Sequence, residues 1–265
     1  MKNHLTYRSN IRKLKARPYQ FSMVYASNSS LRIKEERSQD EIEIPAGSIA
    51  FIERNLSLDV SIIREQDGDA YMVHSLMNDT VRSLIKILEP SFSLTPVDIS
   101  NGRTLKDRIH IVSGEGINRM LFQSIKESER ADQGVYNIAC LISKSASPER
   151  IYWSLCLSAS EYFSDRVKSV IESDLSRKWR LSSVSEALSL SEIAVRKKLE
   201  MENTSFYQVL LDARMQMAAK LILNDNHHIN TVSSRIGMSS TSYFIKTFSS
   251  YYGVTPKQFY LHYKT

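Results

Sequence analysis

The stretch that decides the fold is Ser242–Phe248, SYFIKTF, followed by Tyr251–Phe259, YYGVTPKQF. At 100° per residue, Phe244 and Phe248 fall on one side of a helix and Lys246 falls on the other. An aromatic side packs inward, whereas a short polar side with one cation can face a ligand. The stretch therefore predicts the end of a small helical DNA-binding unit.

The residues after this helix predict where it ends and where the next one begins. Gly253 is expected to end the helix, because the left-handed C′ position favours glycine. Thr255 is expected to cap a further helix, with Pro256 at its first turn.

The last hundred residues contain one pattern twice: a short apolar helix, a tight turn, then a helix with a polar outer face. The copies begin at Val184 and Val232, with Ser189 and Gly237 at the bends, and both predict a helix-turn-helix unit. The predicted helical segments are 165–178, 182–189, 191–202, 205–223, 229–236, 240–252 and 256–263. The segment that joins the copies is about 27 Å long at ~1.5 Å per residue, and could hold two recognition helices in successive major grooves, ~34 Å apart.

The first recognition helix carries an unusual outward face. Ile193, Arg196 and Lys197 lie on one arc, and an exposed isoleucine has a use against DNA, where it can contact a thymine methyl. Arg196 can bind guanine or a phosphate, and Lys197 a phosphate. Ser189 and Glu192 fit a capping box at the start of this helix. The alternative is a solvated charged face with one stray isoleucine.

The second recognition helix offers Thr241, Ser242 and Lys246 as outward candidates. Serine and threonine discriminate bases poorly, so this helix is expected to anchor more than to select. Tyr243 lies at the border, and both a core position and a phosphate contact remain open for it.

The positive charge is concentrated near the C-terminus. The 265 residues include 35 Lys and Arg against 29 Asp and Glu, a net charge of +6. Residues 166–265 hold 14 of the basic and 8 of the acidic groups, which leaves 21 of each in residues 1–165. A basic domain suits a polyanionic partner, because neutralised phosphates release counterions.

The compartment expected from the sequence is the cytoplasm. Residues 1–17 are polar and basic without an apolar segment, which argues against a signal peptide. No run approaches the ~18 apolar residues of a membrane-spanning helix. Cys140 and Cys156 are expected as thiols in a reducing environment.

The pattern of the first hundred residues predicts mostly β-strands. Leu56, Leu58, Val60 and Ile62 alternate with polar residues, a period of two that favours a small barrel or sandwich. Helical spacing begins near Asn78 and continues over 116–128, 133–145 and 149–163.

This arrangement resembles the AraC/XylS family of bacterial transcription regulators, and more narrowly the virulence and fimbrial-gene activators of enteric pathogens. The stretches that carry the resemblance are Ile236–Ser240, Ser242–Phe244, Phe248, Gly253–Phe259, Ala50–Asn55, Asp174–Trp179 and Ser191–Glu200. The resemblance implies an α+β protein: a cupin-like effector and dimerisation domain (1–164), with a β-barrel and flanking dimerisation helices, and an all-α DNA-binding domain (165–265). It also implies activation of virulence genes at A·T-rich double-stranded DNA, RNA polymerase as a partner and a homodimer, with base reading by Ile193, Arg196 and Lys197. Within the family, a repressor or anti-activator cannot be told from an activator by sequence.

The resemblance also implies an effector in the barrel, a fatty acid or another small anion, and no true cofactor. Arg17, Tyr19 and His74 are the candidate effector-binding residues. A barrel that serves only for folding and interaction is an equal alternative. An enzymatic cupin needs clustered His and carboxylate ligands on facing strands, and the barrel region offers His74 and, beyond it, His110. We therefore predict neither catalytic residues nor metal ligands.

Overall fold

The structure is a computed structural model that describes residues 11–36, 40–92, 103–127, 131–160, 162–202, 204–224 and 228–263. The chain divides into two compact units, residues 1–160 and 161–265. In the described residues, no helix is both long and apolar enough to span a bilayer.

The N-terminal unit contains two four-stranded antiparallel sheets. Its strands are β1 (Ile11–Ala16), β2 (Ser22–Ala26), β3 (Ser29–Glu35), β4 (Glu41–Ile44), β5 (Ser48–Ile52), β6 (Leu58–Arg64), β7 (Met72–Ser75) and β8 (Ile109–Ser113). One sheet has the order β1-β6-β3-β4 and the other β7-β2-β5-β8. The period of two predicted around Leu58 to Ile62 is therefore confirmed as strand β6.

Two hydrophobic cores meet at the second sheet. Val24 and Ala26 of β2 pack with residues of both sheets, whereas Met23 and Tyr25 of the same strand pack with the helices. Because successive strand residues point to opposite faces, the β7-β2-β5-β8 sheet is covered on both sides.

Four helices cover the outer face of this sheet: α1 (Asn78–Leu88), α2 (Ile117–Glu127), α3 (Ala131–Ser143) and α4 (Pro148–Ala159). The helix predicted over 149–163 is shorter than expected, because Ser160 takes an extended conformation (φ −62°, ψ 139°). Cys140 and Cys156 are half-buried free thiols.

The C-terminal unit is helical throughout. Its helices are α5 (Phe163–Glu172), α6 (Leu181–Ala187), α7 (Glu192–Met201), α8 (Phe206–Asn224), α9 (Ile229–Arg235), α10 (Thr241–Tyr252) and α11 (Pro256–Tyr263). The prediction that the first helix continues to residue 178 is wrong. Oδ1 of Asp174 accepts hydrogen bonds from both the amide and the hydroxyl of Ser176, so a local turn replaces the helix.

Helix α8 is shared by two hydrophobic cores of this unit. Phe206 and Ala213 pack with α5, α6 and α7, whereas Met215 and Ala218 pack with α9, α10 and α11. A helix that is buried by different neighbours along its length needs apolar residues on more than one face, and its sequence has them.

The N-terminal unit buries a charged network beside its sheets. Glu53 is 4% exposed, and both of its carboxylate oxygens lie 2.8 Å from Nη1 of Arg103. Nε of Arg108 donates to the same carboxylate at 3.1 Å. Burial raises the pKa of Glu53, while the two guanidinium groups act in the opposite direction.

His110 on β8 extends this network. Its Nε2 lies 2.8 Å from the hydroxyl of Ser154 on α4. Burial, reinforced by the charges of Arg150 and Arg103, lowers the pKa of His110 to about 4. The imidazole is therefore neutral in the folded protein at pH 7.

We expect the N-terminal unit to lose stability below pH 6.5 because of His110. The unfolded imidazole titrates near 6.5 and the folded one near 4, so the unfolded state binds more protons between these values and stability falls as pH falls. The expected loss between pH 7 and pH 5 is about 1–2 kcal/mol, measured by urea unfolding. His110→Gln, which keeps a hydrogen-bonding side chain, should reduce this loss; an unchanged loss in the variant would contradict the assignment.

Candidate nucleic-acid interface

The first helix-turn-helix motif consists of α6 and α7 and a tight turn between them. The Ser189 amide donates to the Glu186 carbonyl at 3.0 Å, and the Leu190 amide to the Ser185 carbonyl at 2.9 Å. Ser189 itself has φ +53°, in the left-handed region. This serine is therefore the bend of the motif, as predicted.

The second motif, α9 and α10, repeats the same turn. The Gly237 amide donates to the Ser234 carbonyl at 3.0 Å, and the Met238 amide to the Ser233 carbonyl at 2.9 Å. Gly237 has φ +70°. The same two hydrogen bonds and a residue with positive φ thus occur in both turns, which confirms the duplication predicted from the sequence.

Each recognition helix starts at a serine cap. The Ser191 hydroxyl accepts a hydrogen bond from the Ala194 amide at 3.2 Å, and the Ser240 hydroxyl accepts one from the Tyr243 amide at 3.3 Å. The predicted capping box from Ser189 is wrong, because Ser189 belongs to the left-handed turn and the helix is capped two residues later.

Helix α7 has a buried side and an exposed side. Val195 and Leu199 are buried in the core of the unit, whereas Ile193 is 67% exposed. Arg196 and Lys197 are also exposed. The structure therefore brings the three predicted base-reading residues to the solvent-facing side of one helix.

One ion pair lies on this exposed side. Nη2 of Arg196 is 3.5 Å from Oε2 of Glu192, one turn earlier, and both side chains are largely exposed. A surface pair of this kind is worth little, so Arg196 can exchange its carboxylate partner for a phosphate or a base edge.

Helix α10 presents a weaker set of contacts. Phe244 and Phe248 are completely buried, as predicted, whereas Ser242 and Lys246 are exposed. Thr241 is half-buried. Serine and lysine suit phosphate contacts better than base discrimination.

The end of α10 and the start of α11 lie where the sequence predicts them. Gly253 follows α10 with φ +74°, and the Gln258 amide donates to the Thr255 hydroxyl at 3.3 Å.

Tyr243, for which the sequence leaves both a core position and a phosphate contact open, is 62% exposed. The structure thus adds an exposed aromatic group that helical spacing alone did not assign to either side.

Two of the three candidate effector residues lie in the loop between β1 and β2, and the third lies on a strand. The Arg17 guanidinium lies 5.8 Å from the centre of the Tyr19 ring, just after β1. His74 is on β7 in the other sheet, opposite Met23. Burial lowers the pKa of His74, so this side chain is neutral at pH 7 and offers hydrogen bonds rather than charge.

Comparison with known proteins agrees with this geometry. Residues 184–261 match a family model described as a helix-turn-helix domain. The virulence regulon transcriptional activator VirF of Shigella flexneri is 41% identical over 251 residues, 95% of each chain. Such relatives are transcription activators and not enzymes, and we assign no catalytic role to this chain.

Solved structures show the same fold at low identity. An apo form of ToxT from Vibrio cholerae, carrying one substitution, superposes with a TM-score of 0.72 at 15% identity, covering 95% of this chain and 96% of that one. ToxT bound to an unsaturated fatty acid gives a TM-score of 0.64 at 16% identity, covering 95% and 94%. Together with the full-length similarity to VirF, the matched motifs show that this chain belongs to the AraC family of transcription regulators, among the virulence and fimbrial activators of enteric bacteria.

Proposed function

We propose that this chain is a cytoplasmic, sequence-specific DNA-binding activator of virulence-type genes. The observation that carries the proposal is the exposed side of α7, where a 67% exposed Ile193 accompanies two cations, Arg196 and Lys197. Exposed isoleucine is costly in water and useful against a thymine methyl, which suits A·T-rich promoters. The test is selection of duplexes from a randomised library, followed by a promoter-reporter assay on the selected sequence.

Helix α8 is proposed as the connector between the two DNA-binding motifs. Its 19 residues span about 28 Å at ~1.5 Å per residue. That length suits recognition helices in successive major grooves, ~34 Å apart along one face of DNA. In this arrangement α7 selects the sequence, while α10 anchors through Thr241, Ser242 and Lys246.

The two sheets of the N-terminal unit are proposed as a cupin-like effector barrel. Support comes from the fold shared with ToxT, one of whose structures contains an unsaturated fatty acid. Arg17 and Tyr19, already in contact, would meet the carboxylate of a fatty acid or another small anion, and His74 would add a neutral hydrogen bond. No true cofactor is proposed. The competing proposal is a barrel that acts only as an interaction module.

Helices α2 and α3 are proposed as a homodimer surface. Large apolar side chains are exposed there, namely Ile117 (54%), Met120 (69%) and Tyr136 (66%). Large exposed apolar groups on neighbouring helices are typical of protein interfaces. RNA polymerase is the further protein partner that activation requires.

A repressor or anti-activator of the same family is the second candidate function. It would use the same α7 surface, so DNA binding alone does not separate the two. A promoter-reporter assay does so directly: an activator raises expression from its selected site, and a repressor lowers it.

Arg196→Ala is expected to weaken binding to the selected duplex by about 1–3 kcal/mol, because a bidentate contact to one base pair is lost. Binding to random duplexes should change much less. The measurement is fluorescence anisotropy with both duplexes. Arg82→Ala, an exposed arginine on α1, serves as the matched control and should leave both affinities unchanged. Equal losses on both duplexes would rule out base reading by Arg196.

Lys197→Ala is expected to lower the salt dependence of binding by about one unit of slope in log affinity against log salt, since one phosphate contact disappears. Titrations at several salt concentrations measure this slope. Lys86→Ala on α1 removes the same charge from the other unit and should leave it unchanged. If Lys197→Ala keeps the native slope, the lysine does not contact phosphate.

The effector proposal predicts that medium-chain fatty acids raise the melting temperature of the native chain, because a ligand that binds only the folded state stabilises it. Arg17→Gln should reduce this shift, whereas Arg82→Gln should not. Native mass spectrometry of the purified protein supplies a second readout. No shift and no bound mass would favour the interaction-module alternative.

A further inference from the structure

The two turns of the helix-turn-helix motifs share one backbone conformation but carry different residues. The first has Ser189 at φ +53° and the second has Gly237 at φ +70°. The first motif therefore shows that a serine can adopt this left-handed conformation. The conformation alone does not account for glycine in the second.

Close packing distinguishes the second turn. A Cβ atom on Gly237 would lie 2.6 Å from the Leu175 carbonyl oxygen, 2.8 Å from that of Ser176 and 2.7 Å from Nη2 of Arg214. Each of these three separations is below 3.0 Å, so a Cβ atom fits at Gly237 only if the neighbouring atom moves. The second turn thus lies directly against the segment between α5 and α6, some 60 residues earlier in the chain.

That segment is anchored in the core of the first motif. Leu175 and Trp179 are 6% and 8% exposed and pack in the same cluster as Val195 and Leu199 of α7. Nε1 of Trp179 donates to the Asp174 carbonyl at 2.7 Å. The carbonyls that face Gly237 are therefore held by the same core that holds the first recognition helix.

Arg214 on α8 closes this contact. Its Nη2 donates to the Arg177 carbonyl at 3.2 Å and borders Gly237. Two residues earlier on α8, the buried carboxylate of Asp212 accepts a hydrogen bond from the Tyr251 hydroxyl of α10 at 2.9 Å. Polar groups of α8 thus contact both the segment that precedes the first motif and the recognition helix of the second.

We propose that Arg214, Gly237 and the 175–177 segment form a motif-bridging contact that sets the orientation of α7 relative to α10. Without it, the motifs would be joined by α8 and its flanking cores alone. The contact then fixes the rotational phase, meaning the angle around the DNA axis that separates the two recognition helices when both bind. This last step rests on the proposed DNA-binding function; the orientation itself does not.

The orientation is testable without DNA. Spin labels carried by non-canonical residues at Glu200 on α7 and Ser250 on α10, both exposed, report the distance between the recognition helices by double electron–electron resonance. In the otherwise native full chain we expect one narrow distance distribution. Gly237→Ala and Arg214→Gln should broaden or shift it. Lys220→Gln, an exposed charge loss on the same helix, should leave it narrow.

Arg214→Gln decides the outcome if the added Cβ of Gly237→Ala prevents folding, because it leaves the backbone unaltered. A native-like circular dichroism spectrum with a broadened distribution supports the proposal. A native-like spectrum with an unchanged distribution in Arg214→Gln overturns it, since α8 alone would then hold the motifs.

A second arm joins the contact to DNA. The probe is the duplex selected by the native chain, with one base pair inserted between the segment that binds α7 and the segment that binds α10. The insertion should cost the native chain about tenfold in affinity and Arg214→Gln about threefold or less, because a loosened pair of motifs can follow the altered phase. Equal penalties would show that the contact does not set the phase on DNA. If the native chain selects no duplex, the proposed function fails while the label distances still test the orientation.

Discussion

The C-terminal unit depends on one constraint: α8 must be buried by two different groups of helices along its length. Phe206 and Ala213 belong to the first core, and Met215 and Ala218 to the second. Both motifs pack against α8, so the position of each recognition helix is set relative to the same helix.

The polar contacts of α8 follow the same division. Nζ of Lys168 on α5 donates to the amide oxygen of Gln216 at 2.9 Å, and the Tyr252 hydroxyl of α10 donates to the Met215 carbonyl at 3.1 Å. Hydrogen bonds are directional, whereas apolar packing tolerates small rotations. The two cores thus supply most of the burial, and these bonds restrict the angles at which the helices meet.

Much of this unit was predictable because its signals are local. The αL turns at Ser189 and Gly237 and the buried Phe244 and Phe248 follow from short-range spacing. The prediction of a helix to residue 178 is wrong because the Asp174 side chain offers the backbone a competing turn.

The remaining features depend on residues far apart in sequence. Nothing near Gly237 in the chain indicates that carbonyls some 60 residues earlier lie against it. Likewise, the ion pair between Glu53 and Arg103 joins residues 50 positions apart, which periodicity does not predict. Local pattern predicts elements, while sheet register and long-range packing decide which side chains meet.

The double burial of the β7-β2-β5-β8 sheet has a mechanical consequence. Met23 and Val24 are neighbours in the chain but belong to cores on opposite sides of the same layer. Close-packed interiors compress little, so a change of side-chain volume at Met23 or Val24 strains the core on its own side of the sheet. Substitutions at these two adjacent positions therefore perturb two different cores through one strand.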